Sequence, residues 1–576
     1  MPAMTRTLTP DNRSPDRESW NWQDALLLIL FLTGIAALVT TAGEFKGAYD
    51  PQFKVSLELW NLPAYTLQTL LRMLAGFLLS LTFSISYASL AYYNRLAGMV
   101  LLPLLDILQS IPVLSFLPAV MLTLINLVPG SRIGIELAAV LLIFTGMAWN
   151  LAFSFYQSLT GVPRELREAA LNYRLSPWQN FWMVDLPAGT IGLIWNSIMS
   201  VAGGWFFLIA IESFTLGSRN FQLPGLGSFL ATAASQQNYR ALVVGLGVLI
   251  GIIVLTDLLI WRPLIAWGDR FKFELSESDG AELPVVLELI RRSALLRRLD
   301  ETVIKPLEEW FDRRFIRPRE EPATKPGHRR RWAAPLLLGL GALWLAYLLP
   351  QVLHLLQGVS GSDWARILQG GLWTSLRVAA ALTLSLLWTI PVGVAIGRSP
   401  ELARVLQPLV QIAASIPATA LFPVLMIALA SIGGGLEIGS VLLMMLGTMW
   451  YLLFNIIAGA QAIPSEMVEA AEVFQLSRLQ RWTTLILPAL FPYLITGIVT
   501  AVGGAWNASI VSEYLHFHNR VLATPGLGSL IAEASEHSQM SLLFAATMVM
   551  ALIVVATNRL VWRRLYHLAE ERFRLL

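Results

Sequence analysis

Apolar stretches of about 20 residues recur along the chain and are separated by short polar breaks. An α-helix rises 1.5 Å per residue, so a stretch of this length spans the roughly 30 Å hydrocarbon core of a bilayer. The sequence lacks the strict apolar and polar alternation of a membrane β-barrel, which leaves helices as the spanning form. The pattern therefore predicts an all-α integral membrane protein.

Twelve transmembrane helices are predicted, six in each half of the chain. The first-half spans cover residues 25–43, 66–92, 98–126, 135–159, 187–212 and 240–262. The second-half spans cover residues 333–356, 371–397, 402–430, 438–460, 488–511 and 541–562. The chain then divides into an N-terminal segment 1–24, a first half 25–262, a linker 263–332, a second half 333–562 and a tail 563–576. No small-residue cleavage site follows the first span, which is expected to remain in the mature protein.

Arginines in the short loops orient these spans. Arg6 and Arg17 place the N-terminus in the cytoplasm, and Arg262 and Arg563 place the ends of the two halves there as well. Because six is an even number of crossings, both halves have the same orientation and form parallel repeats about a pseudo-twofold axis along the membrane normal. A path along that axis is the natural place for a substrate.

The two halves repeat one pattern in constant register. At an offset of 301 residues, the polar segment 162–187 returns as 463–488, and we call these segments the first and second island. The same offset relates Gly203 to Gly504, Trp205 to Trp506, Glu212 to Glu513, and Pro224-Gly225-Leu226-Gly227 to Pro525-Gly526-Leu527-Gly528. At an offset of 305 residues, Arg72 matches Arg377 and Ser110 matches Ser415. Chance similarity between apolar sequences does not keep register over this distance.

Composition agrees with the membrane assignment and removes several kinds of site. Hydrophobic residues make up 55% of the chain, charged residues 14%, and the mean hydropathy is +0.60. The absence of cysteine excludes disulfides, iron–sulfur clusters and thiolate metal sites. His516 and His518 form an H-x-H pair without a further ligand nearby in sequence, which favours a polar loop over a metal site.

The linker 263–332 differs from the spans because Arg and Lys alternate there with Asp and Glu. Apolar positions such as Leu289, Leu296 and Val303 recur at near-helical spacing opposite arginines, which indicates an amphipathic helix on the cytoplasmic leaflet. A tether between the halves is favoured, and a regulatory or docking role is the alternative.

Each island is predicted to form two short helices at the cytoplasmic surface. Pro163 suits the first position of a helix, and Glu168 places a carboxylate towards the positive end of the helix dipole. Ser176 and Ser477 are typical N-caps of a second helix, which Pro187 or Pro488 should end. Two short helices at an angle form a compact knob that a soluble partner can reach. A plain hydrated helix-turn is the alternative, but it does not explain why the island is duplicated.

The islands resemble the EAA loop of the permease subunits of binding-protein-dependent ABC importers. The resemblance rests on Glu168, Ala169, Ala170, Leu186 and Pro187, and on Glu469, Ala470, Ala471, Leu487 and Pro488. The family pattern usually has glycine four residues after the last alanine, where this chain has Arg174 and Gln475. The resemblance implies the type I importer permease fold, a coupling helix that enters a cleft of an ATP-hydrolysing subunit, and an external substrate-binding protein.

The chain has no G-x-x-x-x-G-K-[ST] phosphate loop, and none of its five lysines follows a glycine. We therefore expect no cofactor in this chain, with ATP and Mg bound by two partner ATPase subunits, and no enzymatic activity of its own. The predicted function is a permease of an ATP-driven importer in a bacterial inner membrane. A secondary transporter with six plus six helices is the alternative, but it does not explain the paired islands. A membrane scaffold without transport activity is a third class, and retained uptake after replacement of both Glu168 and Glu469 would favour it.

Eight residues are candidates for the translocation pathway: Arg72, Ser110, Trp205, Glu212, Arg377, Ser415, Trp506 and Glu513. An intramembrane charge is costly unless it is paired or hydrated, so snorkelling of the arginines to the interface or ion pairs with Glu212 and Glu513 are favoured over direct contact with an anion. Packing and pathway roles stay open for the two tryptophans and for Glu212 and Glu513, while helix packing is favoured for Gly203 and Gly504. Ser110 and Ser415 precede prolines that should interrupt the third span of each half, either beside the pathway or only for packing.

The Trp-x6-Glu arrangement and the later Gly-Leu-Gly also resemble the nitrate, taurine and sulfonate branch of these importers. This second resemblance implies a small oxyanion as the substrate, such as nitrate, bicarbonate, a sulfonate or taurine.

Overall fold

A computed structural model describes residues 55–268 and 346–568 apart from short gaps at 110–111, 129–130, 214, 217–218, 221, 348, 433–434, 464, 518–519, 563 and 566–567. Of the segment between the halves it describes residue 271 and residues 298–310 except 299 and 308. The predicted N-terminal segment, the span 25–43, part of the span 333–356, and most of the linker and tail therefore lie outside the described residues.

The first half consists of helices joined by short turns and one small hairpin. Its helices are α1 (Leu62–Tyr93), α2 (Arg95–Leu108), α3 (Leu117–Leu127), α4 (Ile133–Thr160), α5 (Arg164–Asn172), α6 (Pro177–Asn180) and α7 (Leu186–Glu212). The hairpin pairs β1 (Thr215–Leu216) with β2 (Arg219–Asn220), and α8 (Leu226–Ser235), α9 (Tyr239–Thr256) and α10 (Arg262–Gly268) follow.

The second half repeats this order. Its helices are α11 (Gly361–Arg398), α12 (Pro400–Ser415), α13 (Ala418–Ile432), α14 (Gly435–Gln461), α15 (Ser465–Val473), α16 (Arg478–Gln480) and α17 (Leu487–Ser512). An antiparallel hairpin of β3 (Tyr514–Phe517) and β4 (Arg520–Ala523) precedes α18 (Leu527–Glu536) and α19 (Met540–Thr557). His516 lies in β3, whereas His518 is outside the described residues.

Eight helical segments in the described chain are long and apolar enough to cross a membrane. They are Leu59–Tyr93, Ile133–Thr160, Pro177–Glu212, Tyr239–Gly268, Gly361–Arg398, Gly435–Gln461, Arg478–Ser512 and Met540–Trp562. Each contains one of the predicted spans, and the all-α membrane fold is confirmed. The count of twelve stays a prediction.

The third predicted span is divided in both halves. In the second half, α12 and α13 meet at Ser415-Ile416-Pro417, and their axes bend by 80°. In the first half, α2 ends at Leu108 and α3 begins at Leu117 after a 3-10 turn at Val113–Ser115. Proline removes a helical hydrogen-bond donor and its ring clashes with the preceding turn, so the predicted interruption is present.

One predicted helix boundary is wrong. Pro187 and Pro488 do not end the second island helix, because helix continues from Pro177 to Glu212 and from Arg478 to Ser512. Both segments pass through π-helical turns, Phe181–Asp185 and Arg481–Ile486, immediately before the proline-containing first turns of α7 and α17. A π turn moves the hydrogen-bond register by one residue, which accommodates the missing N–H and the ring of the proline.

The core is formed mainly by α1, α4 and α7 in the first half and by α11, α14 and α17 in the second. Small residues let these helices approach closely, as lipid gives no hydrophobic drive for helices to associate. A Cβ added at Gly76 would lie 2.6 Å from Ile143, and one added at Gly393 would lie 2.6 Å from Ile456. Trp205 of α7 and Trp506 of α17 belong to one apolar cluster, so the two halves share a core.

Candidate functional site

A buried ion cluster in the first half is centred on Arg72 of α1, whose side chain has no solvent exposure. The guanidinium donates from Nε to Glu136 Oε2 at 2.5 Å and from Nη2 to Glu136 Oε1 at 2.7 Å. Nη1 donates to Glu212 Oε1 at 2.8 Å and to the carbonyl oxygen of Pro224 at 2.9 Å. Arg72 therefore joins α1, α4, α7 and the segment that leads into α8, and we call this arrangement the first clamp.

Glu212 completes the first clamp by holding the N-terminus of α8. Its Oε2 accepts the backbone N–H of Gly227 at 2.7 Å, and its Oε1 accepts the hydroxyl of Thr69 at 2.8 Å. The Thr69 oxygen in turn accepts the N–H of Leu226 at 2.8 Å. A carboxylate at the first turn of a helix satisfies free N–H groups and meets the positive end of the helix dipole.

Glycine is required where the backbone before α8 and before α18 passes directly against the carboxylates of the two clamps. A Cβ added at Gly225 would lie 2.3 Å from the Glu212 carboxylate carbon, and one added at Gly526 would lie 2.1 Å from Glu513 Oε2. Both distances are shorter than any normal contact, so a side chain here would displace the carboxylate. The repeated Pro-Gly-Leu-Gly thus brings backbone N–H and carbonyl groups directly onto the clamp.

The second clamp has the same plan around Arg377 of α11. Its Nη1 donates to Glu513 Oε1 at 3.0 Å and to the carbonyl oxygen of Pro525 at 2.7 Å. The Thr374 hydroxyl donates to Glu513 at 2.8 Å and accepts the N–H of Leu527 at 2.8 Å. The N–H of Gly528 donates to Glu513 Oε2 at 2.8 Å, so α18 is held as α8 is.

The clamps differ in their second acid. Glu437 occupies the position of Glu136 at the repeat offset, but it is exposed on α14, whereas Glu136 is buried. Arg377 Nη2 instead donates to the Thr524 hydroxyl at 2.7 Å. Arg72 thus pairs with two carboxylates, whereas Arg377 pairs with one carboxylate and has the neutral Thr524 hydroxyl in place of the second acid. A buried charge is stable only when paired and hydrogen-bonded, so both clamps depend on their arginine.

Two adjoining cavities lie between the halves, with volumes of about 190 Å³ and 80 Å³. Their shared wall consists of Met199, Gly203, Phe207, Tyr451, Gly504 and Asn507. The larger cavity also meets the neutral polar residues Gln109, Asn150, Ser200, Thr500 and Asn558. No Asp, Glu, Lys or Arg is among the described residues that line either cavity.

Six of the eight predicted pathway residues are described with their side chains, and none of the six lines either cavity. Arg72 pairs with Glu212 and Arg377 with Glu513, as the favoured sequence interpretation has it. Trp205 and Trp506 are packed in the shared core. Ser110 and the side chain of Ser415 lie outside the described residues, although their neighbours Gln109 and Ile416 line the cavities. A pathway role for these eight residues stays a prediction, whereas Gly203 and Gly504, interpreted above as packing residues, line both cavities.

The first island forms a knob that is tied to α1. α5 begins at Arg164 after Pro163, and Ser176 and Gln179 form a reciprocal capping box at α6. The Arg167 guanidinium stacks over the ring of Tyr92 at 5.0 Å and donates to the carbonyl of Leu159.

The second island repeats the knob with fewer contacts to its own half among the described residues. Ser477 and Gln480 form the matching capping box. Arg481 occupies the place of Asn180 and bonds within the island, to the Leu476 carbonyl at 3.1 Å. Arg174 and Gln475 both have positive φ, at 51° and 50°. They stand where the EAA pattern usually has glycine, so the left-handed turn is kept without it.

Both knobs expose carboxylates and large apolar side chains. Glu168 and Glu469 are exposed, while Ala170 and Ala471 face inward at 5% exposure each. Tyr173 is 81% exposed, and Phe474, its counterpart at the repeat offset, is 77% exposed. Ala169, Pro187 and Pro488 are half-buried, and Ala470 is exposed. Paired aromatic residues on a polar surface are typical of a contact site for another protein.

Each half of the chain matches one known protein family. Residues 80–261 and 389–575 each match the family described as binding-protein-dependent transport system inner membrane component. The chain belongs to this family. The permease is therefore a transporter component and not an enzyme, and it is a multi-pass inner membrane protein whose two family domains each contain one island.

Several curated relatives are similar to one portion of the permease. The taurine transport system permease protein TauC of Escherichia coli is 29% identical over 208 residues, which is 35% of this chain and 71% of the relative. The nitrate import permease protein NrtB of Leptolyngbya laminosa is 29% identical over 206 residues, 35% of this chain and 68% of the relative. The bicarbonate transport system permease protein CmpB of Synechocystis is 25% identical over 200 residues, 33% of this chain and 68% of the relative.

Glycine in place of Arg174 or Gln475 is expected to stabilise the permease by about 0.5–1 kcal/mol. In the folded state, a residue with a side chain costs roughly 1–2 kcal/mol in the left-handed region, and glycine removes this cost. Glycine also makes the unfolded chain more flexible, which cancels part of the gain. Thermal unfolding of Arg174→Gly and Gln475→Gly in detergent checks this. Glu168→Gly, at an exposed position inside α5, should instead destabilise by about 0.5–1 kcal/mol. Equal shifts in all three variants would contradict the expectation.

Sequence reasoning missed three clamp residues, Thr69, Thr374 and Glu136, and the two helices α8 and α18. Thr69 and Thr374 are related by the same offset of 305 as the two arginines, so an extended repeat comparison reveals them. Glu136 stands at the start of an apolar span, where a carboxylate needs a partner. Among the described residues, no cluster of three or more His, Asp or Glu side chains is placed to hold a metal ion.

Proposed function

We propose that the permease moves a small oxyanion into the cytoplasm between its two halves, driven by two ATPase subunits that dock on the islands. The observation that carries this proposal is the pair of knobs with exposed aromatic residues, Tyr173 and Phe474, at equivalent positions of two parallel repeats. A twofold pair of docking sites fits a twofold pair of ATPases. ATP and Mg would be bound by those subunits.

The substrate class rests on the relatives and on the cavities. TauC, NrtB and CmpB are named for taurine, nitrate and bicarbonate, which share a small oxyanionic group. The cavity walls carry hydroxyl, amide and indole groups and no carboxylate among the described lining residues. The hydroxyl, amide and indole groups can donate hydrogen bonds to an anion, and the described lining residues give a cation no counter-charge.

The arginine distribution supports cytoplasmic N- and C-termini, with the islands on the cytoplasmic face and the clamps on the outer face. An external substrate-binding protein would then deliver the anion near α8 and α18. The clamps, in this proposal, are structural elements that hold these two helices in place at the outer end of the pathway.

Reconstitution in liposomes tests the proposal. The permease with its two ATPases and its binding protein outside should take up isotope-labelled nitrate, bicarbonate or taurine only when ATP is present on the cytoplasmic side. Omission of either ATP or the binding protein should reduce uptake to the level of empty liposomes. Accumulation by the purified permease alone, driven by an ion gradient, would support the secondary transporter and refute the importer.

A further inference from the structure

One tyrosine reaches between the two halves at the pseudo-twofold axis. Tyr451 of α14 lines both cavities together with Gly203 of α7 and Gly504 of α17, which are equivalent positions of the repeat. A Cβ added at Gly203 would lie 3.0 Å from the Tyr451 hydroxyl oxygen, and one added at Gly504 would lie 3.5 Å from its ring carbon Cε2. The ring therefore occupies space that both glycines leave free.

The Tyr451 hydroxyl is unpaired among the described residues. It makes no hydrogen bond to any residue within the described ranges, although the backbone oxygen of Tyr451 accepts from Asn455 at 2.8 Å. A buried phenol normally finds a hydrogen-bond partner, so a free hydroxyl at the border of two cavities is available to a ligand.

A second neutral donor lies along the larger cavity. Trp562, in the π-helical turn at the end of α19, lines this cavity and has a buried indole N–H without a partner in the described part of the chain. An indole nitrogen only donates hydrogen bonds, and a tyrosine hydroxyl donates readily to an anion. In the proposed orientation Trp562 is nearer the cytoplasm, so the two donors follow one another along the path.

The repeat places different residues at the twofold-related positions. Asn150 is the counterpart of Tyr451, and its amide already donates to Ser200 at 3.1 Å. Asn507, in the shared wall, is the counterpart of Phe206. The path between the halves is therefore asymmetric, because the position equivalent to Tyr451 carries an amide and no phenol.

We propose that the Tyr451 hydroxyl is a substrate-contacting group that donates a hydrogen bond to a small oxyanion as it passes between Gly203 and Gly504. This inference rests on the importer function proposed above. A site built from neutral donors holds an anion without the strong attraction of a lysine or arginine, which suits a transport site from which the ion must leave. The aromatic ring, held between the two glycines, narrows the path at the same point.

Tyr451→Phe tests the inference because it keeps the ring and removes the hydroxyl. A hydrogen bond to a charged group contributes about tenfold or more in equilibrium terms, so kcat/KM for ATP-driven uptake of nitrate, bicarbonate or taurine should fall about tenfold. ATP hydrolysis stimulated by the loaded binding protein should stay at the wild-type level, since the islands are untouched. Tyr493→Phe, which alters a tyrosine of α17 outside the cavity walls, serves as the control.

A second variant displaces the hydroxyl without removing it. Gly203→Ala places a methyl group 3.0 Å from the Tyr451 oxygen and should also lower uptake, whereas Gly251→Ala, where a Cβ meets no atom within 4 Å, should not. Wild-type uptake efficiency in Tyr451→Phe would overturn the inference, and so would an equal loss of stimulated ATP hydrolysis and uptake. If the wild-type protein shows no ATP-driven uptake at all, the proposed function itself fails, which is a separate result.

Discussion

Replacement of Arg72 by leucine is expected to lower the free energy of unfolding of the permease by about 3–5 kcal/mol, because it leaves two buried carboxylates, Glu136 and Glu212, without their positively charged partner. Arg72 is fully buried and binds both oxygens of Glu136, one oxygen of Glu212 and the carbonyl of Pro224. Leucine fills part of the space but donates no hydrogen bond. Reversible unfolding in detergent, followed through the fluorescence of the 20 tryptophans, measures the change.

The duplicated clamp provides an internal comparison. Arg377→Leu should cost less than Arg72→Leu, because Arg377 is 10% exposed and only one carboxylate, Glu513, loses its partner. Arg366→Leu removes an exposed ion pair with Glu533 at 3.2 Å and should change stability by less than about 1 kcal/mol. If Arg72→Leu and Arg366→Leu had equal effects, the clamp would not hold the fold together.

Arg72→Lys separates charge from geometry. Lysine keeps the positive charge but has one ammonium group in place of the planar fork that meets three oxygen atoms of two carboxylates in the first clamp. We expect it to recover less than half of the loss caused by leucine. Full recovery would show that charge alone is sufficient.

The membrane spans could be predicted because each depends only on the length and apolar content of its own stretch of sequence. A lipid-spanning helix needs only length and apolar content, and the predicted span 135–159 lies within the observed helix Ile133–Thr160. The Arg–Glu pairs could also be named as candidates from the sequence, because an arginine inside a membrane is less costly when a carboxylate pairs with it. The offsets 301 and 305 identified the partners in both halves.

Features that depend on contacts between distant segments were not predictable. Glu136 and Glu437 are the same residue type at equivalent positions, yet one is buried beside Arg72 and the other is exposed. The difference in burial arises from how α4 and α14 pack against their neighbours, which residue type and repeat position do not reveal. The continuity of helix through Pro187 depends on a π turn, which apolar periodicity does not signal. Arg174 and Gln475 keep a left-handed turn that sequence rules assign to glycine.

Alanine at both Tyr173 and Phe474 is expected to abolish ATP-driven uptake while leaving the fold intact. These side chains are 81% and 77% exposed, so their removal opens no cavity in the protein. Buried aromatic anchors at protein interfaces contribute about 2 kcal/mol or more each, which for one knob corresponds to a roughly thirtyfold weaker contact. Co-purification of the ATPase subunits with the permease, and uptake in liposomes, measure the loss.

The single variants give the sharper test of two separate docking sites. Tyr173→Ala and Phe474→Ala should each weaken ATPase retention, and the double variant should lose it, because the two knobs contact different subunits. Tyr239→Ala, which removes a half-exposed tyrosine from the start of α9 on the opposite face, should retain the ATPases. A double variant that still binds both ATPases and transports would place the coupling surface elsewhere, and the parallel repeat would then need another explanation for its paired knobs.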